Sequence, residues 1–244
     1  MKKNLLLIFT VFLFCSHVFA EKIFFSAGKM SGQSGKKSSK TVLSGNAFIK
    51  TDSMEISADS IELSGEDYKI IVAKGNVSGK NLETKMDFTC EQLDYNRDTK
   101  LAVLKGSVSL TDLENDVKAN AQIIEYDQNT EIAVLQIQIK MIQKDNICTG
   151  AYAVYKKGPQ MLELSGNAEV KQGEDTFRAQ QITLNMKTQD ITLSGNVKGS
   201  VKAENKQEEN PPEDNNPSKN EDVNQPEQQE GQAEALKKPE EEKE

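Results

Sequence analysis

Ala102-Val103-Leu104-Lys105-Gly106-Ser107-Val108 decides the fold. Ala102, Leu104 and Val108 fall on one side of a period-two alternation, the strand period, with a glycine interrupting it. The same phrase returns along the chain with its glycine at Gly45, Gly75, Gly106, Gly166 and Gly195, at gaps of 30, 31, 60 and 29 residues. The long gap is two periods. Its midpoint falls beside Ile137, in Ala133-Val134-Leu135-Gln136-Ile137-Gln138-Ile139, where the glycine has been lost. Self-similarity at this period marks stacked units that share one continuous core.

A second signature lies between the glycines: a small residue, two spacers, an apolar residue, one spacer and a larger side chain. It reads Ala58–Leu63, Cys90–Tyr95, Ala121–Tyr126, Gly150–Tyr155 and Ala179–Leu184. Turn-forming stretches follow it at Ser64–Asp67, Asn96–Thr99, Asp127–Thr130, Lys156–Pro159 and Lys187–Asp190. The alternation slips by one inside this signature, as Met86, Phe88 and Cys90 give way to Leu93 and Tyr95. A one-residue slip turns later side chains to the other face of a straight strand, so one shared core requires a bulge or corner just after the small residue. No helical period competes. The unit is expected to be two or three short strands with a corner and a hairpin-like turn. Five such units, opened by a half unit at Lys40–Lys50, make an elongated all-β, jelly-roll-like or solenoid body over residues 40–202. The rival is an immunoglobulin-like sandwich, which does not demand the repeat and whose Cys…Trp…Cys pattern is absent, since the chain has no Trp.

The ends differ from the body. Residues 1–20 read as a signal peptide, with Lys2 and Lys3 before the apolar run Leu5–Phe14 and a cleavage site after Ala20. A run of about ten residues is too short to span a bilayer, and no longer one follows, so the mature chain is expected to lack a transmembrane segment. The rival for this end is a lipoprotein signal using Cys15, disfavoured by bulky Phe14 before it. Residues 21–39 read as a flexible Gly/Ser/Lys leader. Residues 203–244 hold five of the six prolines and carry a net charge of −9, which leaves residues 21–202 at −1. Such an acidic Pro/Glu/Gln/Asn-rich tail is expected to be disordered.

Several chemistries are excluded. The sole histidine, His17, leaves with the signal peptide, so no Ser-His-Asp, Cys-His or His-ligated metal site is available to the mature chain. No phosphate loop occurs, and no cofactor, metal or catalytic residue is expected. Asp59, Glu62, Asp94 and Glu125 occupy spacer positions on a solvated face. Cys90 and Cys148 sit on inward positions and read as buried free thiols; a disulfide would need them within about 7 Å, Cα to Cα, closer than two stacked repeats allow. The near-neutral body and acidic tail argue against nucleic acid.

The alternation of Gly-Asn-Val turns (Gly45-Asn46-Ala47, Gly75-Asn76-Val77, Gly106-Ser107-Val108, Gly166-Asn167-Ala168, Gly195-Asn196-Val197) with the second signature resembles the OstA-like family of LptA-type periplasmic lipopolysaccharide-transport proteins. The resemblance covers about residues 40–200; the acidic tail is not part of the pattern. It implies a twisted β-jelly roll in the periplasm. An apolar groove would hold the acyl chains of lipopolysaccharide or another glycolipid. Edge strands would pair with further copies or with other transport components of the same fold. The inferred groove lining is Ile56, Ile61, Ile71, Val77, Phe88, Leu93, Leu104, Val108, Leu110, Ile124, Leu135, Ile139, Leu164 and Ile182. The expected assembly edges are Val42 and Phe48 on the first strand, and Val197 and Val201 on the last. The residues alone leave a second class open: a structural or adhesive envelope scaffold with a closed dry core.

Overall fold

The structure is a computed structural model, and it describes residues 22–33 and 40–202. The signal sequence, the Cys15 alternative, the cleavage after Ala20 and the acidic tail lie outside the described residues. Among the described residues fourteen strands make one antiparallel sheet. They are β1 (Phe24–Ser26), β2 (Lys29–Gln33), β3 (Lys40–Lys50), β4 (Met54–Ser64), β5 (Ile70–Asn81), β6 (Met86–Asn96) and β7 (Leu101–Asp112). They continue as β8 (Val117–Asp127), β9 (Ile132–Gln143), β10 (Asn146–Lys156), β11 (Met161–Gln172), β12 (Asp175–Asn185), β13 (Ile191–Ser194) and β14 (Lys198–Ser200). From β3 to β13 each strand pairs with the next, so the chain is a meander of hairpins.

The repeating unit is a pair of long strands of 11 or 12 residues, each bent once in its middle, rather than two or three short ones. The glycine makes the bend. In β7, Gly106 and Ser107 have φ of 78° and 44° and together face the single residue Gln122 of β8, between the pairs Lys105↔Ile123 and Val108↔Ala121. Two consecutive left-handed residues are what glycine followed by asparagine or serine tolerates. The partner strand takes its phase slip at the same place, after the small residue, as the alternation requires. Both arms of every strand therefore turn the same set of side chains inward. The bends line up across the sheet and fold it into two facing half-sheets with the core between them.

The leader and the first edge differ from expectation. Phe24–Ser26 and Lys29–Gln33 are strands, and they cover β3: Phe25 pairs with Ile49 and Ser31 with Val42. The Gly/Ser content of this stretch suggested a linker, but the unpaired N–H and C=O groups of β3 demand partners, and Ile23 and Ala27 pack against the core. Gly28 makes the cover follow the bend, its N–H donating to the Gly45 carbonyl at 2.8 Å. Val42 and Phe48 consequently belong to a strand paired on both sides. At the other end β13 and β14 pair with the two arms of β12, and Val197 and Val201 are exposed beside that outer edge.

Candidate functional site: the interior and its seam

The interior is one apolar cluster running from Leu43 to Met186. Every residue expected to point inward lies in it, from Leu93, Ile61, Ile124 and Leu135 at 0% exposed to Phe88 at 7%. Alternation with the bend made these positions readable. The cluster also takes in Met54, Met86, Met141, Cys148 and Met186, which fill the spaces between the aliphatics. The described pockets lie mainly on outer faces; one of about 480 Å³ is lined by Asn167, Glu169, Arg178, Gln180, Asn196 and Lys198 together with two alanines.

Opposite the bend, the two arms end in two rows of turns. One row holds the turns after the odd-numbered strands, at Thr51–Ser53, Asn81–Thr84, Asp112–Asp116 and Gln143–Asn146. The other holds the turns after the even-numbered strands. Asx turns build several of them: Asp112 Oδ1 accepts from the Glu114 and Asn115 N–H groups at 3.0 and 3.2 Å, and Asn96, Asp127 and Asn185 repeat the device. Between turns of neighbouring repeats, backbone bonds run along a row: Leu113 N–H to the Lys85 carbonyl in one, Lys157 N–H to the Glu131 carbonyl in the other.

Across the rows the contacts are made by side chains. Tyr155 donates its hydroxyl to Asp112 Oδ2 at 3.0 Å. Gln160 Nε2 donates to Asn115 Oδ1 at 2.7 Å, and Gln143 Nε2 reaches the Asn115 carbonyl at 3.0 Å within its own row. Asn146 donates to Gln189. Lys157 inserts between Asp112, 3.8 Å away, and Glu114, which it contacts directly. Its side chain is 3% exposed and that of Asp112 1%. Burial works to lower the Lys157 pKa, but the bond to Glu114 and the nearby Asp112 outweigh it and hold it above the usual lysine value. The same contact keeps Glu114 below the usual carboxylate range. Burial first, then Asp112, pushes the Tyr155 hydroxyl well up. A polar, charged seam thus closes a purely apolar interior.

Residues 30–157 and 148–190 match the profile of the family described as LptA/(LptD N-terminal domain) LPS transport protein. The chain belongs to this LPS transport family. The curated proteins contain no match. Among solved structures the fold is similar to LptH of Pseudomonas aeruginosa, titled the LptA homologous periplasmic component of the conserved lipopolysaccharide transport device. That likeness has 13% identity over 75% of this chain and 96% of the other, with a TM-score of 0.24.

Within this LptA-family chain the remaining side chains read as structure. Cys90 and Cys148 are free and buried, and burial pushes their thiols up to about 11 and about 12. Glu62 pairs with Lys40 at 2.9 Å and Asp94 with Lys105 at 2.8 Å on the outer face, while Asp59 accepts from Asn76 at the bend. Among the described residues no cluster of three metal-binding side chains occurs, and no helix is long and apolar enough to cross a membrane. The seam is what sequence reading missed. Lys157 stands in the turn-forming Lys156-Lys157-Gly158-Pro159, where a lysine normally points to water. The one available signal was the charge of Asp112 and Lys157 at strand ends that continue the inward phase.

Proposed function

We propose that this protein carries lipopolysaccharide, or a related glycolipid, through the periplasm towards the outer membrane, its acyl chains shielded between the two half-sheets. The observation behind this reading is the unbroken apolar interior, the length of the whole strand stack, in a chain of the LPS transport family. Its lining is mostly medium aliphatics, which accommodate flexible acyl chains, and each buried methylene adds about 0.8 kcal/mol to retention. The signal sequence at residues 1–20 would deliver the chain to the periplasm.

The ends of the stack supply the partners. Among the described residues β1–β2 and β13–β14 are each paired on one side only, with Phe24, Phe25, Met30, Val197 and Val201 exposed there. A strand edge with free N–H and C=O groups is a template for strand addition. Further copies, or other transport proteins of this fold, would add there; the role expected of Val42 and Phe48 passes to β1–β2, which covers them.

A second reading, an envelope scaffold with a closed dry core, is favoured by one observation: the interior is filled by its own side chains, at 0–8% exposure. Lipid extraction and mass spectrometry of protein purified from its own envelope separate the two. Amphiphile at near one per chain supports carriage; none supports the scaffold.

A further inference from the structure

The interior is sealed on every long side, so an acyl chain reaches it only after something parts. Along the bend no parting is possible without breaking the chain itself. Each long strand runs unbroken from one half-sheet to the other there, as Leu101–Asp112 and Val117–Asp127 do. Along the seam the cost is different. The backbone bonds of the turns run within each row and survive separation of the rows. Among the described residues the contacts that cross are made by side chains: Tyr155 to Asp112 and Asn115, Lys157 to Asp112 and Glu114, Gln160 to Asn115 and Gln143, Asn146 to Gln189, and Lys100 to Glu83 at the surface.

The seam is also where the closed state is least satisfied. Among the described residues Asn81 Nδ2 and Gln143 Oε1 are buried without a hydrogen-bond partner, and both lie on the row of turns after the odd-numbered strands. The Thr84 and Tyr126 hydroxyls, one in each row, face each other. Asp112 and Lys157 are charged and withdrawn from water. Removing charges from water is costly, and their mutual attraction offsets that cost only where geometry is good. Opening returns hydration to the charges and partners to the orphaned atoms. Closed and open seams therefore differ by far less than the intact and broken bend.

Resting on the carrier reading above, we infer that the seam is the gate through which acyl chains enter and leave the interior, and that Asp112, Glu114 and Lys157, braced by Tyr155, Asn115 and Gln160, are the clasp that holds it shut. Entry is sideways, along the molecule, with the acyl chains inside and the saccharide left outside the rows of turns. The clasp residues act by positioning the two rows.

The test locks the rows after folding. The full mature chain carrying N115C/Q160C is purified, and the two thiols are bridged by a short bismaleimide; Cys90 and Cys148 are buried and do not compete. Uptake of purified rough-type lipopolysaccharide from micelles is followed by size-exclusion chromatography. Bridging is expected to cut uptake roughly tenfold or more relative to the same variant left unbridged, because the open state becomes inaccessible, while the unbridged variant, its brace lost, loads at least as fast as wild type. Equal uptake by the bridged protein overturns the gate and leaves carriage standing. No uptake by wild type overturns both. Should the thiol variant fail to fold, D112N/K157M replaces it. Faster loading than wild type at an unchanged or raised melting temperature supports the clasp, and loading at the wild-type rate or slower overturns it.

Discussion

The bend and the seam close the same sheet along opposite sides with different chemistry. The bend is backbone: two left-handed residues per odd long strand, Gly45-Asn46, Gly75-Asn76, Gly106-Ser107, Ile137-Gln138 and Gly166-Asn167, set against one residue of the next strand, with Gly195-Asn196 continuing the line between β13 and β14. It is continuous, hydrogen-bonded along its length and indifferent to what the side chains do outside. The seam is side chain: carboxylates, amides, a tyrosine and a buried lysine meeting between rows of turns. A covalently continuous side beside a side held by polar contacts is what a container with one opening edge requires.

The largest expected effect comes from breaking the seam's charge balance. Lys157→Met leaves Asp112 buried without its cation, and stability in urea should fall by about 3–5 kcal/mol. The double variant D112N/K157M should return to within about 1 kcal/mol of wild type or exceed it, since a neutral pair has no desolvation to offset. A loss below about 1 kcal/mol for the single variant would mean that Lys157 behaves as a surface charge, and the contrast between the two sides would vanish.

A bend substitution should cost less but act without any charge. At Gly166 φ is +72°, and an added Cβ would lie 2.7 Å from that of Ala151. Gly166→Ala is expected to lose about 1–2 kcal/mol from the left-handed backbone, with the crowding against Ala151 on top. Its lipid uptake should be unchanged, whereas seam variants shift uptake and stability together.

The smallest effect sharpens the comparison from inside the bend. Ile137 holds the glycine position of the fourth repeat at φ 67°, a β-branched side chain in left-handed backbone and 51% exposed. Ile137→Gly should relieve about 1–2 kcal/mol of strain and lose about 0.5–1 kcal/mol to glycine's freedom in the unfolded chain. The net is a small gain in melting temperature; a loss would show that Ile137 makes a contact the bend needs.

These differences explain what the sequence disclosed. The bend is written in residue types with few conformational alternatives, so Gly45, Gly106 and the small residues Ala58 and Ala121 announced it, and with it every inward aliphatic. The missing glycine at Ile137 was legible as a departure, and the structure keeps the bend there through strain. The first edge was misread because the Gly/Ser content of residues 31–39 concealed that β3 needs a cover. The seam was invisible because its contacts join residues more than 40 apart across the sheet, Tyr155 with Asp112 and Lys157 with Glu114. Local pattern assigns each of them to an ordinary turn.

The central claim is that the interior between the half-sheets receives acyl chains. Phe88 faces that interior and Thr89, the next residue, faces outward. A photoreactive benzoyl-phenylalanine placed at position 88 or at position 89 of the full chain, irradiated in the envelope of its own cells, compares inside with outside directly. The account predicts a lipid-bearing adduct from position 88 and none from position 89. No adduct from position 88, or equal adducts from both, would contradict it.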